Sequence, residues 1–146
     1  PVLRLMDKKA AMIGGADPHR FSLLDAVLIN DNHSVLVKVD EAVRRAKRAG
    51  VYHRIEAEAD TIEEAVMIAE AGADILLLDN MPPDQVLKTV TLLSEKGLRE
   101  LVIIEVSGGI TGDNLDAYAS LPIDRISLGM LTHSVTNADL SLDIMK

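Results

Sequence analysis

The stretch VIIEVSGGIT, residues 102–111, decides the fold of this chain of 146 residues. Its first five residues are rich in Val and Ile, which is typical of a strand buried in a parallel sheet. Ser107, Gly108 and Gly109 follow, and a glycine without a Cβ lets backbone N–H groups approach an anion closely. A buried strand that ends in a glycine turn indicates a parallel α/β fold with an anion site at the strand end.

Short apolar runs alternate with amphipathic segments along the whole chain. The predicted strands cover residues 11–13, 26–29, 52–57, 75–78, 102–106 and 123–128. The predicted helices cover residues 3–9, 35–49, 61–71, 83–96, 113–120 and 138–145. This alternation with short connections predicts one α/β domain, residues 1–146, with a parallel sheet. Periodicity leaves open whether the sheet is doubly wound or closes into a barrel.

The composition excludes several classes of protein. The net charge is −8 and aromatic residues make up 2% of the chain, so neither a basic stripe nor a base-stacking platform for nucleic acid is expected. No apolar run reaches membrane-spanning length, and no membrane partner is expected. The absence of cysteine excludes disulfides, thiol nucleophiles and cysteine-ligated metals, and it fits a cytoplasmic protein.

Polar residues or glycines follow almost every predicted strand. Strand ends of a parallel barrel converge on one face, where active sites lie. Ser107, Gly108 and Gly109 follow the fifth predicted strand and Gly129 follows the sixth. Turns after the last two strands that lead into helices form the usual phosphate site of such barrels. We therefore expect one phosphate site at these turns, the alternative being tight turns without a ligand.

Two carboxylates and a basic pair are the other candidate site residues. Glu58 and Asp79 end neighbouring strands and could hold Mg2+, bind sugar hydroxyls or stabilise a developing cation; the alternative is that they cap helices. His19 precedes Arg20, whose planar fork suits a carboxylate or phosphate, the alternative being a solvated surface loop. Glu56 is expected on the other side of its strand from Glu58, in a structural role.

Six motifs, in order along the whole chain, resemble the quinolinate phosphoribosyltransferase family. They are Gly14-Gly15 with His19-Arg20, Asp31-Asn32-His33, Glu56-Ala57-Glu58, Leu78-Asp79-Asn80-Met81, Ser107-Gly108-Gly109-Ile110 and Gly129-Met130-Leu131-Thr132-His133-Ser134. The resemblance implies a seven-stranded (β/α) barrel of the phosphoribosyltransferase type, with six of the strands in this chain. It also implies that the first strand and the family's N-terminal domain are absent.

The resemblance further implies a reaction and a role for each candidate residue. Phosphoribose would pass from phosphoribosyl pyrophosphate to quinolinate with decarboxylation, giving nicotinate mononucleotide for NAD synthesis. His19 and Arg20 would bind the quinolinate carboxylates. Glu58 and Asp79 would face the ribose hydroxyls and the magnesium pyrophosphate, with Mg2+ as cofactor. The residues expected to hold the 5-phosphate are Ser107, Gly108, Gly109, Gly129 and His133.

The chain departs from the family at one substrate-binding position. Asn30 stands where the family usually has a Lys, which removes a cation from a pocket for a dianion. With the first strand and its substrate-binding Arg and Lys also absent, we expect little or no activity from this chain alone. The family's dimer habit and the unpaired strand edges favour a homo-oligomer over a monomer.

Three alternative functions remain from the residues alone. A non-catalytic or engineered barrel fragment that keeps a phosphate site is favoured by Asn30 and the missing strand. Another phosphate-binding barrel enzyme is disfavoured in its Schiff-base form, because no lysine lies at a predicted strand end. A pure binding module for partner proteins has no positive feature in the sequence.

Overall fold

The computed structural model describes residues 3–22, 24–50, 52–136 and 138–145. The α-helices in these ranges are α1 Arg4–Ile13, α2 Asp31–Ser34, α3 Val39–Ala49, α4 Ile62–Ala71, α5 Pro83–Glu95, α6 Leu115–Ala119 and α7 Met130–His133. The strands are β1 Ala26–Ile29, β2 Arg54–Ala59, β3 Ile75–Asp79, β4 Ile103–Ser107 and β5 Arg125–Ile126. A 3-10 turn lies at Arg99–Leu101. None of the described helices combines the length and the apolar character that crossing a bilayer requires.

The strands form one parallel sheet in the order β1-β2-β3-β4-β5. Strands that are consecutive in the chain are neighbours in the sheet; Glu56 pairs with Ile75, and Leu77 with Glu105. A doubly wound sheet reverses its strand order at a switch point, and this sheet has no reversal among the described strands. Its order is that of a singly wound sheet, from which (β/α) barrels are built. The described sheet is open, with β1 and β5 at its edges.

One face of the sheet forms the hydrophobic core against the helices. Ile55, Leu76 and Ile104 are at most 1% exposed and belong to this core together with Val43 of α3 and Ile68 of α4. Burying each such side chain stabilises the fold by about 1.5–3 kcal/mol. Successive strand residues point to opposite faces, so the residues between these positions lie on the other face. The polar strand residues on that face are Arg54, Glu56, Glu58, Asp79, Glu105, Ser107 and Arg125.

The helices that flank β3 confirm two predictions from the sequence. The predictions at residues 61–71 and 83–96 correspond to α4 and α5, each within one residue at either end. The Thr61 side chain accepts a hydrogen bond from Glu64 N at 3.2 Å and so caps α4. Gly72 ends this helix with a φ of 88°, the left-handed conformation that glycine adopts without strain.

The structure contradicts the predicted strand at residues 11–13. These residues form the last turn of α1, and Gly14 N donates to Ala10 O at 3.0 Å. Alanine and methionine are good helix formers, and an apolar run of three residues is too short to distinguish a strand from a helix. The predicted count of six strands is therefore wrong for the described residues, which form five. The described sheet therefore begins with β1 at one edge.

Several other elements also differ from their predicted bounds. The helix predicted at 35–49 begins only at Val39 as α3, and the short helix α2 before it was not predicted. The helix predicted at 113–120 shortens to α6, and the strand predicted at 123–128 shortens to β5. The helix predicted at 138–145 is wrong, because these residues have no regular secondary structure. The length of a helix or strand depends on packing against neighbouring elements, which the apolar residues of a segment do not reveal by themselves.

Candidate active site

The turn after β4 contains two glycines in the left-handed backbone conformation. Gly108 has a φ of 86° and Gly109 a φ of 61°, a region that residues with a Cβ rarely adopt. Gly108 also packs closely on the turn after β3, because a methyl group on its Cα would lie 2.6 Å from Asn80 N. Both the backbone angle and the available space therefore require glycine at position 108.

A cavity of about 970 Å³ lies at the carboxyl ends of β4 and β5. Ser107, Gly108 and Gly109 line it from the β4 side, and Gly129 and His133 line it from the β5 side. The His133 ring lies against Gly129, since a methyl group at residue 129 would be 2.9 Å from His133 Nε2. Backbone N–H groups of glycine turns and an imidazole are donors suited to a phosphate. The five residues predicted to hold the phosphate thus line one cavity.

Asn114 closes the glycine turn. Its Oδ1 accepts a hydrogen bond from Thr111 N at 2.8 Å, and its Nδ2 donates to Gly109 O at 3.1 Å. The helix expected to begin at residue 113 begins only at Leu115 and has five residues. The donors that face the cavity therefore come from the glycine turn itself rather than from the first turn of a long helix.

Glu58, Asp60 and Asp79 form an acidic cluster at the carboxyl ends of β2 and β3. One carboxylate oxygen from each lies within 4.8 Å of the other two. Partial burial raises the pKa of Glu58 to about 7, and the negative charges of Asp79 and Asp31 add to this effect. Burial also raises the pKa of Asp60, as do the neighbouring carboxylates. The three carboxylates repel one another, and a bound cation would relieve that repulsion. Carboxylate oxygens are hard ligands, which is the kind that Mg2+ prefers.

Asn80 joins the acidic cluster to the glycine turn. Its Nδ2 donates to Asp79 Oδ2, and its backbone N donates to Ser107 O at 3.0 Å. Asp79 and Ser107 are also paired in the register of β3 and β4. Asn80 holds a φ of 52°, an uncommon value for a residue with a Cβ. The carboxylates and the anion cavity are therefore neighbours at one edge of the sheet.

Two residues of the acidic cluster open into a separate cleft, and Asp79 is not among the described residues that line either cavity. Glu58 and Asp60 line a cleft of about 280 Å³ together with Asp31 and Ser34. Asp31 begins α2, and its charge contributes to the raised pKa of Glu58. The sequence indicated a single mouth for the carboxylates and the phosphate residues. The described residues form two adjacent cavities at that edge.

His19 reaches the larger cavity from the loop after α1. Lys8 Nζ donates to the backbone oxygens of Arg20 at 2.9 Å and His19 at 3.3 Å, which holds this loop on the helix. His19 Nε2 lies 3.6 Å from Glu56 Oε1, and this contact is the main cause that raises the pKa of His19, partly offset by burial. Arg20 is half-buried and is not among the described residues that line the cavity.

Glu56 lies on the same face of β2 as Glu58, which corrects the expectation of opposite faces. Residues two apart in a strand point to the same side, because the side-chain period is two. Glu56 is 3% exposed, and Glu105 on β4 is 2% exposed. We assigned no role to Glu105 and missed Arg125, although a charged residue inside an otherwise apolar strand was a visible signal. Asp60 and Lys8 gave no comparable signal in the sequence.

Asn30 takes part in a helix cap rather than in a cavity wall. Its side chain accepts from the backbone N–H of His33, and its backbone N donates to His33 Nδ1 at 3.2 Å. These contacts form a capping box at the start of α2. Among the described residues that line the two cavities, Asp31 is present and Asn30 is not.

Comparisons with known proteins give a consistent family. The family model described as quinolinate phosphoribosyl transferase, C-terminal domain, matches residues 1–143. The probable nicotinate-nucleotide pyrophosphorylase [carboxylating] of Methanothermobacter thermautotrophicus is 45% identical over 99% of this chain and 52% of its own length. The human nicotinate-nucleotide pyrophosphorylase [carboxylating] is 42% identical over 99% of this chain and 48% of its own length.

Solved structures agree with the sequence matches. The nicotinate-nucleotide pyrophosphorylase of Ehrlichia chaffeensis has a TM-score of 0.89 and 34% identity, covering 99% of this chain and 52% of that one. The enzyme of the same name from Francisella tularensis has a TM-score of 0.86 and 34% identity, covering 97% and 48%. The chain spans about half the length of the relatives it matches. Because the family match covers nearly every residue, the chain belongs to the quinolinate phosphoribosyltransferase family and corresponds to its C-terminal domain.

Proposed function

We propose that this chain is part of an enzyme that transfers phosphoribose from phosphoribosyl pyrophosphate to quinolinate with decarboxylation, giving nicotinate mononucleotide. One observation carries the proposal. The acidic cluster of Glu58, Asp60 and Asp79 lies beside the glycine turn, because Asp79 and Ser107 are register partners. A sugar with a phosphate at one end and a magnesium-bound leaving group at the other requires this pair of sites side by side. The names of the relatives support the same reaction.

The 5-phosphate is assigned to the cavity that the two glycine turns share. Gly108 and Gly109 have no Cβ to keep an anion away from the backbone N–H groups, and their left-handed conformation shapes the turn. Gly129 and His133 approach from the next strand end. Donors held in place by the fold bind a phosphate without reorganising at the moment of reaction.

Glu58 and Asp79 are assigned to the ribose and the leaving group. As pyrophosphate departs, positive charge develops on the ribose ring, and nearby carboxylates stabilise that charge. The same carboxylates, with Asp60, are the oxygen ligands that would hold Mg2+. Mg2+ bound there would supply charge neutralisation of the departing pyrophosphate. Asn80 keeps the Asp79 carboxylate oriented through its side-chain hydrogen bond.

His19 and Arg20 are assigned to the carboxylates of quinolinate. Lys8 fixes the backbone of both residues from α1, and His19 lines the cavity that would hold the acceptor. Asn30 counts against this assignment, because it supplies no positive charge for the carboxylates. A Lys at this position would add a cation to the pocket, whereas the Asn30 side chain caps α2.

The closed barrel is also part of the proposal. The sequential parallel order of β1 to β5 is that of a barrel wall, and its two edges have backbone groups that another strand can pair with. We propose that further strands of the whole protein, or a second copy in a homo-oligomer, cover these edges. The cytoplasmic location that the absence of cysteine fits belongs to the same proposal.

Binding of phosphoribosyl pyrophosphate with Mg2+ tests the site. Asp79→Ala should weaken binding in isothermal titration by about tenfold or more, since a charge-assisted contact contributes about 1.5–3 kcal/mol. Glu95→Ala is the matched control, because Glu95 is exposed at the far end of α5. Unchanged binding by Asp79→Ala would remove Asp79 from the site.

A non-catalytic domain that keeps the phosphate site is the second candidate function. The capping role of the Asn30 side chain favours it, because the usual cation for the acceptor is then missing. Formation of nicotinate mononucleotide from quinolinate and phosphoribosyl pyrophosphate distinguishes the two candidates. Phosphate binding without product formation by the whole protein would support the non-catalytic domain.

A further inference from the structure

Glu56 is a buried carboxylate, and one of its oxygens has no hydrogen-bond partner among the described residues. Its side chain is 4% exposed, and its Oε1 makes no hydrogen bond with any described residue. His19 Nε2 lies 3.6 Å from Glu56 Oε1, and the His19 side chain is 43% exposed. An ionised carboxylate is costly to bury unless a cation compensates it. The imidazole of His19 is in the position to do so.

The other charged groups around His19 do not relieve Glu56. Glu105 faces the same histidine from β4, but it accepts a hydrogen bond from Ser127 Oγ and lies 3.9 Å from Arg125. Lys8 approaches from α1 with its Nζ on backbone oxygens of the His19 loop. Asp17, in the same loop, accepts from His19 N at 3.3 Å, and its carboxylate is 3.9 Å from Arg125. Glu56 and Glu105 together place two negative charges against one imidazole.

The backbone shows that this position of His19 is imposed by its surroundings. His19 has a φ of 53°, in the left-handed region that a residue with a Cβ adopts at a cost. Such a conformation persists where neighbouring contacts over-determine it, and it occurs most often at functional sites. The contacts here are those of Lys8 with the loop oxygens and of Glu56 with the ring.

We propose that Glu56 is a positioning residue that fixes the His19 ring at the cavity wall and keeps it in the imidazolium form, so that His19 offers a charged N–H to a carboxylate of the acceptor. The protonation state matters because a neutral imidazole that donates to Glu56 through Nε2 presents a lone pair at Nδ1, which repels a carboxylate. Only the imidazolium donates from both nitrogens. The raised pKa of His19 agrees with this state.

The inference rests on the proposed function for the identity of the acceptor. It also gives Glu56 a function at a site where the negative charges of Glu56 and Glu105 alone would oppose the binding of a dianion. Lys8 and Arg125 also line this cavity, and His19 is the lining residue that contacts Glu56.

Histidine titration by NMR tests the proposal without any substrate. His19 is assigned by the resonance that disappears in His19→Gln. Its pKa should lie above the ordinary value of 6.5 in the unchanged chain and should fall in Glu56→Gln, which has nearly the same shape without the charge. Glu63→Gln, on the exposed side of α4, is the control and should leave the His19 pKa unchanged. A His19 pKa that Glu56→Gln leaves in place would overturn the proposal, provided the amide spectrum shows a folded chain.

Binding of pyridine-2,3-dicarboxylate supplies a second measurement. Glu56→Gln should weaken binding by about tenfold at pH 7.5, where its His19 is neutral, and by much less at pH 5.5, where His19 is protonated in either chain. A structural role for Glu56 would weaken binding equally at both pH values, and that result would count against the proposal. Failure of the unchanged chain to bind this ligand would contradict the proposed function, while the NMR titration would still decide the role of Glu56.

Discussion

Asp79 and Ser107 are register partners at the ends of β3 and β4, and Asn80 N donates to Ser107 O at 3.0 Å. Asn80 thereby joins the carboxylates to the anion turn. We predict that Asn80→Ala weakens binding of phosphoribosyl pyrophosphate with Mg2+ by about tenfold, because the Asp79 carboxylate loses its side-chain donor. Isothermal titration measures this, with exposed Glu95→Ala as the control. Equal affinity in Asn80→Ala and the unchanged chain would show that Asp79 needs no such support.

Gly108 has two independent reasons to be glycine, and both can be measured as stability. Gly108→Ala should destabilise the fold by about 2 kcal/mol or more, since it combines a left-handed φ of 86° with a clash against Asn80. Gly97→Ala is the matched control. Its φ is 70°, but a methyl group there meets no atom within 4 Å, so it should cost about 1–2 kcal/mol. Urea denaturation compares the two, and an equal loss in both would mean that Asn80 yields to the new methyl group.

The sequence predicted the fold class well because the buried strands have a strong local signal. The runs that became β3 and β4 are almost wholly apolar, and the helix caps around them are local features. The strand predicted at residues 11–13 is wrong because the helix-forming residues before it continue α1 up to Gly14. The open sheet could not be predicted from periodicity, which is the same for open and closed parallel sheets.

The candidate site was predicted in its parts but not in its arrangement. Glycine turns and strand-end carboxylates have fixed sequence positions, so Gly108 and Glu58 were found. Asp31 approaches Glu58 from the start of α2, and Lys8 contacts a backbone oxygen ten residues further along the chain. Such contacts depend on tertiary structure, which a local pattern does not contain. Glu56 was placed wrongly because the period of two was not applied to it.

The raised pKa of Glu58 predicts a specific pH dependence of stability. Its folded-state pKa is about 7 against an ordinary value of 4.5, so ionising Glu58 opposes folding. This contribution favours folding fully below pH 4.5 and is lost as the pH rises through about 7. Glu58→Gln should therefore be more stable than the unchanged chain at pH 8 by about 1 kcal/mol, after solvent screening of a partly exposed group, and the gap should shrink towards pH 5.

Mg2+ provides the internal control for the Glu58 prediction. A cation among Glu58, Asp60 and Asp79 replaces repulsion by attraction, so saturating Mg2+ at pH 8 should remove or reverse the stability gap. Thermal denaturation with and without Mg2+ measures this. Glu63→Gln, exposed on α4, should show neither the pH-dependent gap nor the Mg2+ effect. A gap that persists unchanged in Mg2+ would mean that the cluster does not bind the ion.

Asn30 allows the acceptor pocket to be tested by gain of function. Asn30→Lys should tighten binding of pyridine-2,3-dicarboxylate by about tenfold or more, because a buried charge-assisted contact contributes about 1.5–3 kcal/mol. The same change removes the side-chain cap of α2 and should cost about 1 kcal/mol of stability. Asn30→Met is the matched control, since it removes the cap and adds comparable length without charge. Affinity that rises equally in both variants would show that the gain comes from freeing His33 rather than from the cation, and affinity that rises in neither would place residue 30 outside the pocket.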